Sequence, residues 1–343
     1  MVGELTVGFI GGSITQGSLA TEPHNCYAAR VLEWWERKFP GCHFRYVNAG
    51  IGGTTSHFGA ARVQSDLLKK EPDFVIVEFS VNDDNDDFFR ETYEGLVRKI
   101  LTSPSAPAVM LVHNVRYDSG VSAEGKHLEI GRYYNLPCVS MKSTIYPQVE
   151  KGNIPVREIT EDDLHPNDFG HELVANVITN MLDNIYGTLM SMENGVDVAV
   201  PLPMTDNKYE RVVRYRNDNA DAVCEGFLKD QRIQEEITDI FKKGWIADKI
   251  NDSIVFKVTG SEIAVQYRKT INRPSPVAVA IVDGDEENKY VLDGNFDENW
   301  GDCLYLQPVL VHGEYKEHTV EIKVIETHEE DREPFYLVSV IGG

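Results

Sequence analysis

The chain has few basic residues and no long apolar run, and both absences exclude kinds of partner. Its 343 residues contain 33 Lys and Arg against 55 Asp and Glu, a formal net charge of −22 at pH 7. Such an acidic surface repels nucleic acid and anionic membranes, so we expect neither as a partner. No apolar run approaches the roughly 20 residues that a membrane-spanning helix needs. The apolar fraction of 42% is still sufficient for a sizeable core.

Cysteine is also scarce. The five cysteines are odd in number, are scattered over positions 26, 42, 138, 224 and 303, and form no Cys-x-x-Cys pair. Buried reduced thiols fit this pattern better than a disulfide framework or a zinc site, so we expect a cytoplasmic protein without a metal. The first residues, Met-Val-Gly-Glu-Leu-Thr, include no basic segment, and no secretory signal is expected.

Two glycine signatures of nucleotide binding are missing. The phosphate loop Gly-x-x-x-x-Gly-Lys-[Ser/Thr] does not occur, and Gly50-x-Gly52 lacks the third glycine of a dinucleotide fingerprint because Thr55 stands in its place. The sequence therefore gives no support to a nucleotide cofactor.

Up to about residue 190, apolar runs alternate with helix-like segments. The runs at 5–10, 43–48, 73–79, 107–113 and 137–140 predict strands that are buried on both faces. Helices are predicted near 25–39, 57–71, 91–101, 124–134 and 168–186, the last capped by Asn167 or Asp168. This alternation predicts an α/β domain over residues 1–190, with a parallel sheet covered by helices on both faces.

From residue 191 to 343 the pattern changes to short β-branched or aromatic segments separated by Gly, Pro, Asn and Asp. Strands are predicted at 196–200, 209–215, 253–258, 262–268, 277–282, 304–311, 318–325 and 335–341, with one helix-like insert near 230–243. This pattern is typical of an all-β sandwich of jelly-roll type. The linker is placed at Gly187–Gly195, and two domains agree with the chain length.

The first strand runs directly into a glycine turn that carries a serine, Gly11-Gly12-Ser13. Glycine adopts backbone angles that other residues avoid, and a helix is predicted soon afterwards. Ser13 is therefore expected at the C-terminal edge of the sheet, where open α/β proteins bind ligands. The alternative is an ordinary strand–helix turn.

Two further segments follow strands in the same way. Asn48-Ala-Gly-Ile-Gly-Gly-Thr-Thr55 predicts a turn whose backbone N–H groups face a ligand, with Gly53 as the candidate donor. Asn82, at the end of the third strand, can aim its side-chain N–H₂ at developing negative charge. A plain tight turn and a helix cap are the alternatives for these two segments. The acidic run from Asn82 to Asp87 lacks the spacing of a calcium loop and favours a solvated helix N-terminus.

The last segment, Asp162-Asp-Leu-His165-Pro166-Asn167, precedes the final helix of the first domain. A carboxylate three residues before a histidine can accept its Nδ1–H, which leaves Nε2 free to act as a base. A polar surface turn is the alternative. His57, His113 and His171 have no carboxylate nearby in sequence and are expected to be structural or superficial.

Taken together, the four segments resemble the conserved blocks of the SGNH hydrolases, also called the GDSL esterase/lipase family. Ser13 corresponds to the first block, Gly53 to the second, Asn82 to the third, and Asp162 with His165 to the last. The resemblance covers about residues 5–185 and implies a three-layer, flavodoxin-like fold. The chain has Gly11-Gly12-Ser13-Ile14 where the family often has Gly-Asp-Ser-Leu, and several carbohydrate-acting members likewise have Gly in place of Asp. The Gly-x-Ser-x-Gly elbow of α/β-hydrolases is absent.

The resemblance implies a serine esterase with a catalytic triad of Ser13, Asp162 and His165. An oxyanion hole would be formed by the N–H groups of Ser13 and Gly53 and by the Asn82 amide, and no cofactor would be required. An added sandwich domain is similar to those of bacterial acetyl xylan-type esterases. This similarity implies that the substrate is an acetylated oligosaccharide from xylan or another hemicellulose. It also leaves a homo-oligomer open.

Trp245, Trp300 and Tyr305 are candidates for stacking on sugar rings. Trp300, among Asp, Glu, Asn and Gly, has the most loop-like context, whereas Tyr305 lies on a predicted strand and is expected in the core. Two other functions stay open at this point: a short-chain acyl esterase or lysophospholipase of the same family, and a glycan-binding protein without catalysis.

Overall fold

The computed structural model describes residues 3–191 and 199–343, which divide into two compact units, Met1–Glu210 and Arg211–Gly343. The first unit contains a sheet of five parallel strands in the order β2-β1-β3-β4-β5, the flavodoxin-like order. These strands are β1 (Glu4–Gly11), β2 (His43–Gly50), β3 (Phe74–Glu78), β4 (Ala108–His113) and β5 (Cys138–Ser140). The predicted fold of this region is confirmed.

Helices follow the strands and pack on the sheet. They are α1 (Ser13–Gln16), α2 (Tyr27–Lys38), α3 (Ser56–Asp66), α4 (Asp87–Leu101), α5 (Glu124–Tyr133), α6 (Met141–Thr144), α7 (Tyr146–Glu150), α8 (Val156–Ile159) and α9 (Asp168–Met190), with short 3₁₀ turns at Pro23–Asn25 and Leu68–Lys70. The Asn167 side chain caps α9 by accepting the Gly170 N–H at 3.0 Å. Among the described residues, no helix is both long and apolar enough to cross a membrane.

The core of the first unit forms around central strands that are apolar at consecutive rather than alternate positions. Val75, Ile76 and Val77 of β3 have no exposed surface. Phe9 and Ile76 pack with residues of α2 and α9 such as Val31 and Ile178, which cover one face of the sheet. A strand buried on both faces needs helices on both sides, and the glycine-containing turns at its C-terminal edge remain accessible to ligand.

The second unit consists of two antiparallel sheets. Its strands are β6 (Val213–Tyr215), β7 (Val223–Glu225), β8 (Leu228–Lys229), β9 (Trp245–Ala247), β10 (Ser253–Gly260), β11 (Ile263–Lys269), β12 (Val277–Val282), β13 (Tyr290–Asp293), β14 (Cys303–Leu310), β15 (Lys316–Glu326) and β16 (Phe335–Gly342). One sheet has the order β13-β12-β15-β10-β7; the other has the order β14-β11-β16-β9-β8, with β6 also paired to β16. Phe256 and Val320 of the first sheet share a core with Val265 and Leu337 of the second, as in a sandwich.

Residues 199–210 belong to the first unit, although their composition assigned them to the second domain. The buried carboxyl group of Glu94 on α4 accepts the N–H groups of Met204 at 2.6 Å and Thr205 at 2.7 Å. Arg98, one turn later, donates to the Pro201 carbonyl at 2.7 Å and to the Glu210 carboxylate at 2.9 Å. The first unit therefore continues to Glu210, beyond the boundary expected at residue 190, and α9 reaches into the expected linker. Most of the strand predicted at 196–200 lies outside the described residues.

The prediction of a helix-like insert near 230–243 is wrong. Asp230 Oδ1 accepts the Arg232 N–H at 3.0 Å, and Oδ2 accepts the Tyr336 hydroxyl at 2.7 Å. A side chain that binds backbone two residues ahead competes with helix formation, so the segment runs as an irregular loop despite its helical spacing of isoleucines.

Candidate active site

Ser13 stands at the first position of α1, immediately after β1, and is 7% exposed. Gly12 has φ −86°, so glycine is not required here for an unusual backbone angle, contrary to the expectation for this turn. It is required for close approach instead. A Cβ on Gly12 would collide with Asn82 Oδ1, and a Cβ on Gly11 would come within 2.5 Å of the Glu78 carbonyl. The turn is therefore packed tightly beneath the serine.

His165 connects Ser13 to Asp162. The Ser13 Oγ lies 2.9 Å from His165 Nε2, and His165 Nδ1 lies 2.6 Å from Asp162 Oδ2. Asp162 Oδ1 also accepts the N–H groups of Leu164 at 3.0 Å and His165 at 2.8 Å, so one tight turn sets both the carboxylate and the imidazole. With Nδ1–H donated to the carboxylate, Nε2 accepts the serine hydroxyl proton.

The hydrogen bonds around Asp162 keep it ionised. Burial raises the pKa of its carboxyl, but the bonds from the His165 side chain and from the two backbone N–H groups outweigh burial and hold the pKa at about 2. A negative charge therefore faces the imidazole throughout the neutral range and favours its protonated form during proton transfer.

The turn after β2 lies against Ser13. A Cβ on Gly52 would lie 3.6 Å from the Ser13 Cβ, and the Gly52 N–H donates to Gln16 Oε1 at 2.6 Å. Gly53 has φ 66°, the left-handed region that favours glycine. No acceptor for the Gly53 N–H lies among the described residues. The turn thus leaves the Gly53 N–H uncommitted, next to Gly52, which lies against the nucleophile.

Gln16 is a further residue of the site that the sequence motifs did not identify, although its spacing from Ser13 indicates it. It lies three residues after Ser13 in α1, and residues three apart share a helix face. By accepting the Gly52 N–H it occupies one donor of the turn, next to the Gly53 N–H, which stays uncommitted.

Asn82 lies in the turn after β3, where its N–H donates to the Phe79 carbonyl at 3.1 Å. Its Oδ1 is buried against Gly12 and finds no hydrogen-bond donor within the described part of the chain. The Nδ2 group is therefore the part of the amide that can donate to a ligand beside Ser13. The structure thus brings Ser13, Asn82, Asp162 and His165 together with the Gly53 turn.

The acidic run that begins at Asn82 forms a helix N-terminus, as expected. Asp86 caps α4 by accepting the Phe89 N–H at 2.9 Å. Asp83 departs from this pattern because its side chain is fully buried. The burial of Asp83 could not be recognised from the sequence, because its acidic neighbours favour a solvated segment.

Three histidines for which a structural or superficial position was expected lie in the interior. His57, His113 and His171 are 4% exposed or less, and burial lowers the pKa of each. His171 binds the protein through both ring nitrogens, Nδ1 with the Tyr27 N–H at 3.3 Å and Nε2 with the Ser18 carbonyl at 3.2 Å. These rings are structural.

The aromatic candidates of the second unit differ in exposure. Trp245 is fully buried, whereas Trp300 is 56% exposed, with its N–H donated to Glu298 at 2.5 Å and its ring 5.0 Å from that of Phe296. Tyr305 is 39% exposed, so the expectation that it lies in the core is wrong. It lies on β14 directly opposite the core residue Tyr267, with the two ring centres 5.5 Å apart, and it is exposed because β14 is at the edge of its sheet. The Lys269 ammonium lies 4.6 Å from its ring centre.

Comparison with known proteins gives the same assignment as the four segments. Residues 9–173 match the model of the GDSL-like Lipase/Acylhydrolase family. A two-domain esterase active on acetylated mannans, co-crystallized with mannopentaose, is 57% identical, with 99% of this chain and 90% of that chain aligned and a TM-score of 0.95. A second structure of such an esterase is 56% identical over 99% of this chain and 91% of that chain, with a TM-score of 0.97.

A more distant structure is Axe2, an acetylxylan esterase from Geobacillus stearothermophilus. It is 21% identical over 52% of this chain and 94% of that chain, with a TM-score of 0.42. No curated protein sequence gives a significant match.

Proposed function

The chain belongs to the GDSL-like lipase/acylhydrolase family and is a carboxylic ester hydrolase, and from that premise we propose that it removes O-acetyl groups from oligosaccharides through an acyl-serine intermediate. The observation that carries the mechanism is the pair of contacts that His165 makes, 2.9 Å to the Ser13 Oγ and 2.6 Å to Asp162. A serine hydroxyl is a weak nucleophile until a base takes its proton, and this geometry supplies the base.

In the first half of the reaction, Ser13 Oγ attacks the acetyl carbonyl while His165 Nε2 accepts the serine proton. Asp162 holds the imidazole in the required tautomer and stabilises the imidazolium. The oxyanion accepts hydrogen bonds from the N–H groups of Ser13 and Gly53 and from the Asn82 amide. His165 then protonates the sugar oxygen as it leaves, and acetyl-Ser13 remains.

In the second half, His165 takes a proton from water, and the resulting hydroxide attacks the acetyl-serine. Acetate departs, and the proton returns to Ser13. Every group that these proposed steps use is a side chain or a backbone N–H named above.

The proposed substrate is an acetylated oligosaccharide derived from hemicellulose. Esterases that are 56–57% identical are active on acetylated mannans, so acetylated mannan fragments are the first candidates, and acetylated xylan fragments are the second. A neutral sugar also suits a protein with a net charge of −22, which repels anions. Trp300 is the proposed stacking residue because its ring is more than half exposed on a loop.

The deciding experiment measures acetate release from acetylated mannan and xylan oligosaccharides and from medium-chain p-nitrophenyl esters. We expect turnover of the acetylated sugars by the wild-type protein, no turnover by Ser13→Ala, and labelling of the wild-type serine alone by a fluorophosphonate. Ser119→Ala, which changes an exposed serine outside the triad, is the matched control and should retain full activity. Preference for medium-chain esters would favour a lipid esterase, and activity in Ser13→Ala would exclude this mechanism.

Cytoplasmic location and a homo-oligomeric state stay predictions. Fractionation of the native cells tests the first, and sedimentation of the purified protein tests the second.

A further inference from the structure

We propose that Asp83 is a positioning residue that fixes the Gly53 N–H and the Asn82 side-chain amide relative to each other. The inference rests on the proposed function, since these two groups are the proposed oxyanion donors, but it assigns a role to a residue that the mechanism does not use. Asp83 follows Asn82 in the turn after β3, and its side chain has no exposed surface.

One oxygen of Asp83 binds the turn that contains Gly53. Its Oδ1 accepts the N–H of Ser56 at 2.9 Å, and Ser56 is the first residue of α3, three positions after Gly53. Thr55, at the N-cap position of α3, makes no capping hydrogen bond with its own side chain. Asp83 therefore accepts one of the four N–H groups that the start of a helix leaves without an intrahelical acceptor, and in doing so it joins two separate turns.

The other oxygen fixes Asp83 itself. Its Oδ2 lies 3.1 Å from His127 Nε2, and the His127 ring stacks on Tyr93 with centroids 3.6 Å apart and an interplanar angle of 4°. Burial raises the pKa of Asp83 and lowers that of His127. The pair therefore carries at most one charge near neutral pH, and the contact is a hydrogen bond rather than an ion pair.

This arrangement matters because the two donors belong to different strands of the sheet. Gly53 follows β2 and Asn82 follows β3, and in the sheet order β1 lies between those strands. The Ser56–Asp83 hydrogen bond is a direct link between the two turns. A misplacement of about 1 Å at a reacting centre can cost roughly 100-fold in rate, so loosening this link should impair the oxyanion site.

The first test compares Asp83→Ala with Asp83→Asn on an acetyl ester. Asp83→Ala leaves the Ser56 N–H and the His127 ring buried without a partner, and we expect kcat to fall roughly 10- to 100-fold while KM stays within about twofold. Asp83→Asn keeps an oxygen for Ser56 and an N–H₂ group for His127, so it should retain kcat within about threefold. If Asp83 only stabilised the fold, its replacement would lower the fraction of protein that is active, and it would not produce a lower kcat in Asp83→Ala that Asp83→Asn restores.

A second pair changes the partner instead of Asp83. Ser56→Pro removes the N–H that Asp83 accepts, and proline suits the first position of a helix. Thr55 is already extended, with φ −104° and ψ 170°, as the residue before proline must be. Ser56→Ala keeps the N–H and, like the proline variant, loses the hydroxyl with its contacts to Asp83 and, at 2.7 Å, to Thr92, so the two variants differ in the N–H that Asp83 accepts. We expect Ser56→Pro to lose kcat as Asp83→Ala does, and Ser56→Ala to resemble the wild type.

Unchanged kcat in Asp83→Ala, or equal losses in both Asp83 variants, would overturn the inference. If the wild-type protein fails to hydrolyse any acetyl ester, the proposed function fails, and hydrogen exchange then decides the positioning role. Amide exchange of residues 53–56 should be faster in Asp83→Ala than in the wild type and unchanged in Asp83→Asn. Equal exchange in all three proteins would refute the link between the two turns.

Discussion

Glu78 allows a quantitative prediction about pH and stability. It ends β3 and is fully buried; its Oε1 accepts the Ser80 N–H and the Ser80 hydroxyl, each at 3.2 Å. Its Oε2 lies 3.5 Å from the Thr15 hydroxyl. Burial raises the pKa of Glu78 from 4.5 to about 7, against the opposing effect of hydrogen bonds from Asn114 and Ser80. The folded protein therefore binds this proton more tightly than the unfolded chain does.

The direction in which pH changes the stability follows from proton linkage. Because the folded-state pKa is the higher one, the stabilisation is complete below about pH 4.5 and is lost as the pH rises through about 7. At about 1.4 kcal/mol for each pKa unit, the loss is roughly 3 kcal/mol of unfolding free energy above pH 8. Glu78→Gln imitates the protonated acid, since its carbonyl accepts from Ser80 and its N–H₂ faces Thr15. The variant should match the wild type near pH 5 and exceed it by roughly 3 kcal/mol near pH 9.

The assay is urea unfolding followed by helical circular dichroism at several pH values. Helices among the described residues belong to the first unit, so this signal reports the unit that contains Glu78. Glu36→Gln, the same change at an exposed position of α2, is the control and should alter stability by less than about 0.5 kcal/mol at every pH. Destabilisation of Glu78→Gln by the same amount at pH 5 and pH 9 would refute the reasoning.

Three further predictions concern the site and the second unit. Asn82→Ala should lower kcat roughly 100- to 1,000-fold with little change in KM, because an oxyanion donor acts mainly in the transition state; steady-state kinetics on p-nitrophenyl acetate measure this, and an unchanged kcat would remove Asn82 from the oxyanion hole. Asp162→Asn should lower kcat about 10,000-fold because it disturbs the tautomer of His165. The control is Asp163→Asn at the next position, where φ is left-handed, and its kcat should stay near that of the wild type. Equal losses of kcat in the two variants would contradict the triad. In the inactive Ser13→Ala protein, Trp300→Ala should weaken the binding of a mannooligosaccharide, measured by calorimetry, roughly 3- to 10-fold. Tyr315→Ala, which removes another exposed ring from the same protein, should leave the affinity unchanged. Equal affinities of Ser13→Ala and of the two double variants would exclude stacking of the sugar on Trp300.

Much of the first unit could be predicted because its signals are local and redundant. A strand buried on both faces must be apolar at every position, so β3 and β4 are visible as continuous runs. Parallel strands end at one edge of the sheet, and polar residues placed after several such strands must therefore converge there. The contact between Ser13 and His165 follows from that topology, although the two residues are distant in sequence.

Other features depend on partners that no local pattern identifies. The burial of Asp83 results from His127 and Ser56, which are remote in sequence, and its acidic neighbours conceal it. The loop at 230–243 is determined by Asp230, which binds Tyr336 on the last strand. Tyr305 lies on a strand as predicted, but that strand is at the edge of its sheet, and the order of the strands in a sheet is not visible in the local pattern of any one strand.

The attachment of residues 199–210 to the first unit decides where the polypeptide can be divided. Tyr209 is 1% exposed, with its ring 5.1 Å from His57 and 5.7 Å from Phe88. A fragment cut at residue 190 would lose that ring and the backbone donors of the Glu94 carboxyl. It would leave an apolar gap and a buried acid whose remaining donor, among the described residues, is the Tyr134 hydroxyl. Limited proteolysis should therefore release a durable hydrolase fragment that ends near Glu210, and shorter fragments should aggregate.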